Sequence, residues 1–279
     1  MNVLVVDYRA PDAPARFTES LRTTGFGVLK NHPISQEMVE SIYREWKAFF
    51  DGEAKHHYAY SKQTQDGFFS SEISEVAKGH TLKDIKEYFQ IYPKGRYPSE
   101  VSDTARRYYG QASELARELL GWVDAHTPDE VKARFSMPLS EMTTGSDRTL
   151  LRVLHYPPLR GDEPEGALRA AAHEDINLLT VLPAANEPGL QVKDRDGNWL
   201  DVPCDFGTLI INTGDMLQEA SGGYYPSTTH RVVNPTGEGR FKSRISLPLF
   251  LHPRDEVVLS ERYTALSSLQ ERLRELGVA

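Results

Sequence analysis

Apolar residues change their spacing part-way along this chain. After Ser35, whose side-chain oxygen suits a helix N-cap, Val39, Ile42, Trp46, Phe49 and Phe50 recur every three or four positions, which predicts a helix with one apolar face. From Thr104 to about Val123, Tyr108, Ala112, Leu115, Leu119 and Leu120 repeat that spacing and predict a second amphipathic helix. Val3 to Val6 and Gly25 to Lys30 are short β-rich runs, the latter ending in the turn Asn31-His32-Pro33. The first 130 or so residues thus read mainly as helix around a few short strands.

From Thr149 the texture becomes short β-branched runs separated by Pro, Gly, Asn and Asp. They are Leu150 to Leu154, Asn177 to Leu182, Gly189 to Lys193, Thr208 to Asn212, Arg231 to Asn234 and Arg244 to Leu251. Several short strands with turns between them predict a sandwich or barrel, here a jelly roll (double-stranded β-helix). The fold class expected is therefore α+β, a mainly β core with a flanking helical layer. In the tail, Leu259, Tyr263, Leu266, Leu269, Leu273 and Leu276 mark one apolar stripe, a helix that must dock on the core or on a second subunit. The expected organisation is a leading helical and β portion over residues 1–130, a jelly roll over 149–253 and a docking helix over 254–279, forming one structural unit with no internal repeat or flexible linker.

Composition narrows the function classes. A net charge of −8, from 40 acidic against 32 basic residues without clustered Lys or Arg tracts, argues against a nucleic-acid partner. No apolar run approaches the ~20 residues of a membrane span, and the N-terminus has no basic segment followed by an apolar stretch, so a cytoplasmic location is expected. The single cysteine, Cys204, fits a reducing compartment and reads as a packing residue.

Candidate chemistry begins at Ala172-His173-Glu174-Asp175-Ile176, which enters a β-rich run. Side chains alternate faces along a strand, so His173 and Asp175 are expected on one face and Glu174 on the other. His230, 55 positions after Asp175, stands at the start of another strand, and a sheet folded over on itself would bring the three together. Two imidazoles and one carboxylate leave coordination positions open, which suits iron(II). Zinc remains possible from ligand type, although the H-E-x-x-H helix motif of many zinc hydrolases is absent. A His-x-Asp tripeptide alone is weak evidence; the second histidine strengthens it.

Arg244 and Ser246 flank Ile245 and so share a strand face. A planar guanidinium beside a hydroxyl suits a carboxylate held by two parallel hydrogen bonds.

These residues resemble the iron(II)/2-oxoglutarate oxygenase superfamily in its isopenicillin N synthase-like branch. His173-Glu174-Asp175 with Leu178-Leu179-Thr180-Val181-Leu182 is similar to the branch's H-x-D-x-x-x-L-T-L-L stretch. Gly189 to Val192, Trp199 to Pro203, Asn212 to Asp215, Ser227 to Val232 and Arg244 to Ser246 resemble its following blocks, in order. The N-terminal half resembles the branch's leading domain at Gly25 to Val28, Asn31 to Ile34, Phe49-Phe50 and Asp84 to Glu87. The resemblance implies a jelly roll holding Fe(2+) through His173, Asp175 and His230. It further implies that Arg244 and Ser246 anchor the distal carboxylate of 2-oxoglutarate, assisted by Tyr156, with dioxygen as the second cosubstrate. Leu154 and His155 stand where many plant members have Asn and Tyr.

The function expected is a dioxygenase that couples 2-oxoglutarate decarboxylation to oxidation of a small molecule. The alternatives are an oxidase of the isopenicillin N synthase type, in which Arg244 and Ser246 hold the substrate's own carboxylate, and a non-catalytic carboxylate-binding β-domain. Phe68, Phe69, Tyr88, Ile176 and Phe250 are expected near the substrate by position; neither the substrate nor the oligomeric state follows from the sequence.

Overall fold

A computed structural model describes residues 3–61, 63–71, 82–184, 189–194, 196–203 and 205–275. Its larger sheet runs in the order β1 (Val5–Asp7), β2 (Phe26–Lys30), β10 (Leu209–Thr213), β7 (Leu179–Pro183), β13 (Leu249–Leu251), β5 (Leu150–Tyr156), β4 (Glu87–Ile91) and β3 (Gly67–Phe69), with β12 (Arg244–Ser246) also paired to β5. The smaller sheet runs β6 (Ala170–His173), β11 (His230–Val232), β8 (Leu190–Lys193) and β9 (Trp199–Asp201). Among the described strands every pairing is antiparallel except β1 with β2.

The two sheets face each other. Phe26, Val28 and Ile210 of the larger sheet bury their side chains against Ala170, Leu190, Val192 and Val232 of the smaller one. The other face of the larger sheet is covered by α1 (Ala13–Thr24), α2 (Gln36–Asp51) and α3 (Thr104–His126). Here Trp46, Phe50, Tyr108 and Leu119 from the helices meet Val153, Val181, Ile211 and Leu249 from the strands. Trp46 is fully buried, its ring 5.3 Å from those of Phe49 and Phe89. Burying such apolar area is what holds the helical layer to the sheet. Both expected helices of the first half are present, and Ser35 caps α2 by accepting from the Met38 N–H.

Several expectations are corrected. Arg244 to Leu251 is two strands, because Pro248 has no N–H for a ladder; β12 pairs only with β5, whereas β13 bridges β5 and β7. The stripe beginning at Leu259 is helical only in α7 (Ala265–Glu275), Leu259 and Tyr263 forming a turn before it; Leu276 and Cys204 lie outside the described residues. Helix α1, with only Phe17 and Leu21 as large buried apolar residues, has too sparse a stripe to be read beforehand, and the alanine-rich β6 has no β-branched residue. Three short helices, α4 (Asp129–Lys132), α5 (Leu139–Met142) and α6 (Asp215–Ala220), complete the fold, and Arg272 of α7 pairs with Asp215 at 2.7 Å. Among the described residues no helix is long and apolar enough to cross a membrane.

One glycine binds the β10–α6 connection to the loop after β6. A Cβ on Gly214 would lie 2.2 Å from the backbone oxygen of Asn177 and 2.7 Å from its Oδ1. Gly214→Ala must push that loop aside, and chemical denaturation should show a loss of roughly 1–3 kcal/mol.

Candidate active site

Strand β6 ends on His173, and β11 begins on His230 directly across the ladder from it. Cross-strand neighbours stand side by side, and the two imidazole centroids are 4.4 Å apart. Asp175 follows β6 in an irregular loop whose position is fixed by the Asp215 N–H donating to the Asp175 carbonyl at 2.7 Å. Strand alternation is therefore not what brings His173 and Asp175 together; the strand has ended, and the loop turns the carboxylate back. Nε2 of His173 and Nε2 of His230 lie 3.9 Å and 3.8 Å from Asp175 Oδ1. One ligand atom from each of the three residues falls within 4.8 Å of the others. Glu174 is engaged elsewhere, accepting from the Thr229 hydroxyl.

The remaining polar atoms of these side chains are already committed. His173 Nδ1 is 2.7 Å from the Ala171 carbonyl and His230 Nδ1 is 3.1 Å from the Thr228 carbonyl. A carbonyl can only accept, so each Nδ1 carries a proton, which leaves each Nε2 as the ring nitrogen free to ligate. Asp175 Oδ2 accepts from Thr180 Oγ1 at 2.5 Å and from Asn212 Nδ2 at 2.7 Å, leaving Oδ1 to face the imidazoles. Burial would raise the Asp175 pKa, but His230, His173 and those two hydrogen bonds outweigh it and hold the carboxyl below the usual range. Although the His173 side chain is partly exposed, desolvation of its ring and the neighbouring His230 depress its pKa to about 4, so its imidazole is neutral at pH 7. Two imidazole nitrogens and a carboxylate oxygen, each oriented from behind, fit a divalent transition metal such as iron(II).

A second site lies on β12 and β5. Arg244 is opposite Tyr156 and Ser246 opposite Leu154, all four buried, and Arg244 Cζ is 5.7 Å from the Tyr156 ring centroid. Nε and Nη1 of Arg244 are buried without a hydrogen-bond partner among the described residues. Gly189 leaves the space beside it: a Cβ there would be 3.8 Å from Arg244 Nη1. An unsatisfied buried guanidinium is costly, and a carboxylate matches it in charge and shape, so the residues also fit a dicarboxylate cosubstrate.

The residues expected near the substrate divide. Phe69 and Tyr88 stack at 4.5 Å and cluster with Leu154 and Tyr156, whereas Phe68 turns to the helical side, 6.2 Å from Phe50, and Ile176 packs on the main core. The ring of Phe250 lies 5.6 Å from the Arg152 guanidinium carbon, which also sits 4.5 Å from the Tyr88 ring. Arg152 Nε and Nη2 donate to Gln90 Oε1 at 3.0 Å and 2.7 Å. Arg152, Asn212 and His252 were not foreseen. Asn212 reaches Asp175 because it pairs with Thr180 across β10 and β7, a register no spacing rule reveals.

His252 is buried with Nδ1 unpaired, and burial depresses its pKa to about 4 against the attraction of Asp175. Below pH 6.5 the unfolded chain takes up a proton that this folded imidazole resists until about pH 4, so stability falls across that window. His173 acts in the same direction. Urea unfolding of metal-free protein should give a stability that declines from pH 6.5 to 4.5, with a shallower decline in His252→Leu.

Residues 148–253 match the model of the 2OG-Fe(II) oxygenase superfamily, and residues 7–114 match that of the N-terminal region of the non-haem dioxygenases in morphine synthesis. Gibberellin 3-beta-dioxygenase 4 of Arabidopsis thaliana is 30% identical over 260 residues, covering 88% of this chain and 70% of that protein. A Shewanella oneidensis protein described as an oxygenase superposes with a TM-score of 0.90 at 62% identity, covering 100% of both chains. A 2OG-Fe(II) oxygenase family protein of Caulobacter crescentus superposes with a TM-score of 0.80 at 30% identity over 98% of each chain.

Proposed function

Because this chain belongs to the 2OG-Fe(II) oxygenase superfamily, we propose that His173, Asp175 and His230 hold its iron(II) while Arg244 and Ser246, helped by Tyr156, hold the far carboxylate of 2-oxoglutarate. The family uses Fe(2+), 2-oxoglutarate and dioxygen, and the enzyme is accordingly a dioxygenase. The observation that carries the residue assignment is the convergence of two Nε2 lone pairs on Asp175 Oδ1, with every other donor and acceptor of the three side chains engaged.

Iron bound there would bring 2-oxoglutarate and dioxygen together, with dioxygen as the oxidant: one of its oxygen atoms would end in succinate as carbon dioxide leaves, and the other would oxidise the substrate. The chain's own work is placement. Ala171 and Thr228 fix the imidazole tautomers through their carbonyls, and Thr180 and Asn212 fix the carboxylate. Arg244 neutralises the cosubstrate's distal charge and sets its direction, so that the reacting end is presented to the metal. The side chain of His173 is 36% exposed, against 7% for Asp175 and 9% for His230, so the site opens on the His173 side. The primary substrate, a small molecule, enters there and meets Phe69, Tyr88, Phe250 and Arg152. Nucleic acid and membranes are not partners of so acidic a surface, and the enzyme works in the cytoplasm.

The test is succinate release from 2-oxoglutarate by the wild-type protein with iron(II) and ascorbate. Turnover dependent on both iron and 2-oxoglutarate is expected. Oxygen uptake on candidate substrates without 2-oxoglutarate would instead make the protein an oxidase in which Arg244 grips the substrate.

A further inference from the structure

We infer that Asp84, held by Lys86, is a positioning residue for the metal ligand His173. The inference rests on His173 binding the metal, as proposed above, and adds a residue far from it in sequence.

Among the described residues, strand β6 is the edge of the smaller sheet and pairs with β11 alone. That ladder is irregular: His230 faces His173, but Val232 faces Ala170, so the register shifts between the two pairs. A short strand with an irregular ladder on one side, and no ladder from the described residues on the other, depends on single hydrogen bonds to fix its position, and a small slip would carry His173 out of place. The segment before β4 supplies the missing restraint. The Ile85 N–H donates to the Leu168 carbonyl at 2.9 Å, and Asp84 Oδ1 accepts from the Ala171 N–H at 2.8 Å.

The Ala171 peptide thus links two bonds. Its N–H is held by Asp84, and its carbonyl accepts from His173 Nδ1 at 2.7 Å, the bond that aims Nε2 at Asp175. Asp84 is 5% and Lys86 8% exposed, and Lys86 Nζ donates to Asp84 Oδ2 at 2.6 Å. The ammonium therefore compensates the carboxylate on one oxygen while the other oxygen is left for the strand. A buried ion pair contributes little net stability compared with an apolar replacement. Its use here is directional: a charged acceptor bonds an N–H more strongly than a neutral one.

The test compares two double variants that both lack the buried charges and differ in the acceptor. Asp84→Asn with Lys86→Met keeps an oxygen for the Ala171 N–H; Asp84→Ala with Lys86→Met does not. Metal-free proteins are titrated with Co(II), followed by calorimetry and by the visible absorption of the bound ion, and thermal melts of the metal-free forms check the fold. The alanine variant is expected to bind Co(II) about tenfold to a hundredfold more weakly than wild type, with an altered absorption envelope, and the asparagine variant within a few-fold of wild type. Equal affinity and equal spectra in the two folded double variants would overturn the inference, whether both match wild type or both fall below it. Should the alanine variant not fold, Asp84→Ser with Lys86→Met replaces it, since a serine hydroxyl is too short to reach Ala171. Failure of wild type to bind Co(II), or unchanged binding by His173→Ala, would instead remove the metal-site reading itself.

Discussion

Asp175→Ala should release succinate at less than about a hundredth of the wild-type rate and should bind iron(II) correspondingly weakly. Disturbing groups behind a metal ligand already costs about tenfold to a hundredfold, and this substitution removes a ligand. It also removes the one anion between His173 and His230, whose Nε2 atoms both face Oδ1. Asn212 then loses its acceptor and is left as a buried donor, and Thr180 loses its short bond and keeps only Asn177 Oδ1 at 3.3 Å. Succinate formation and iron content are to be measured on the same preparation. Intact turnover in the variant would sink the metal assignment, whereas a folded protein without iron and without turnover is the result expected.

Arg244→Met should leave metal binding near wild type but raise the KM for 2-oxoglutarate by about thirtyfold to a few thousandfold. Breaking a buried charge pair by truncating one partner costs about 2–5 kcal/mol, and each ~1.4 kcal/mol is a factor of ten. The buried Nε and Nη1 atoms, which have no hydrogen-bond partner among the described residues, are the donors proposed to take the cosubstrate's carboxylate. Arg244→Lys should recover only part of the loss, because an ammonium cannot form the paired hydrogen bonds of a guanidinium. Assays at saturating and limiting 2-oxoglutarate separate this effect from a change in kcat. A KM unchanged in Arg244→Met would assign the carboxylate grip to other residues.

Site residues that depend on ordering within short motifs were legible, and those that depend on strand register were not. His173, Asp175 and His230 were readable as residue types that bind metal, and the structure gathers them. Strand alternation does not place Asp175 beside His173, because β6 ends at His173 and an irregular loop returns the carboxylate. Phe68 and Phe69 were indistinguishable as neighbouring aromatics, yet the pairing of β3 with β4 turns Phe69 toward Tyr88 and Phe68 toward Phe89 and the helical layer. Thr180 stood inside a recognisable motif without a role, since its bond to Asp175 exists only once β7 lies beside the loop.

By itself, the sequence determined the helical faces of α2 and α3, the β character of the second half and the set of metal-binding residue types, because each follows from period or side-chain chemistry within a short stretch. Only the tertiary structure decided that β6 and β11 are neighbours, that Asn212 and Thr180 hold one carboxylate oxygen, and that Asp84 reaches Ala171. These contacts join residues far apart along the chain, and their geometry is set by how two twisted sheets pack through their shared apolar interior, a property of the whole assembly of strands.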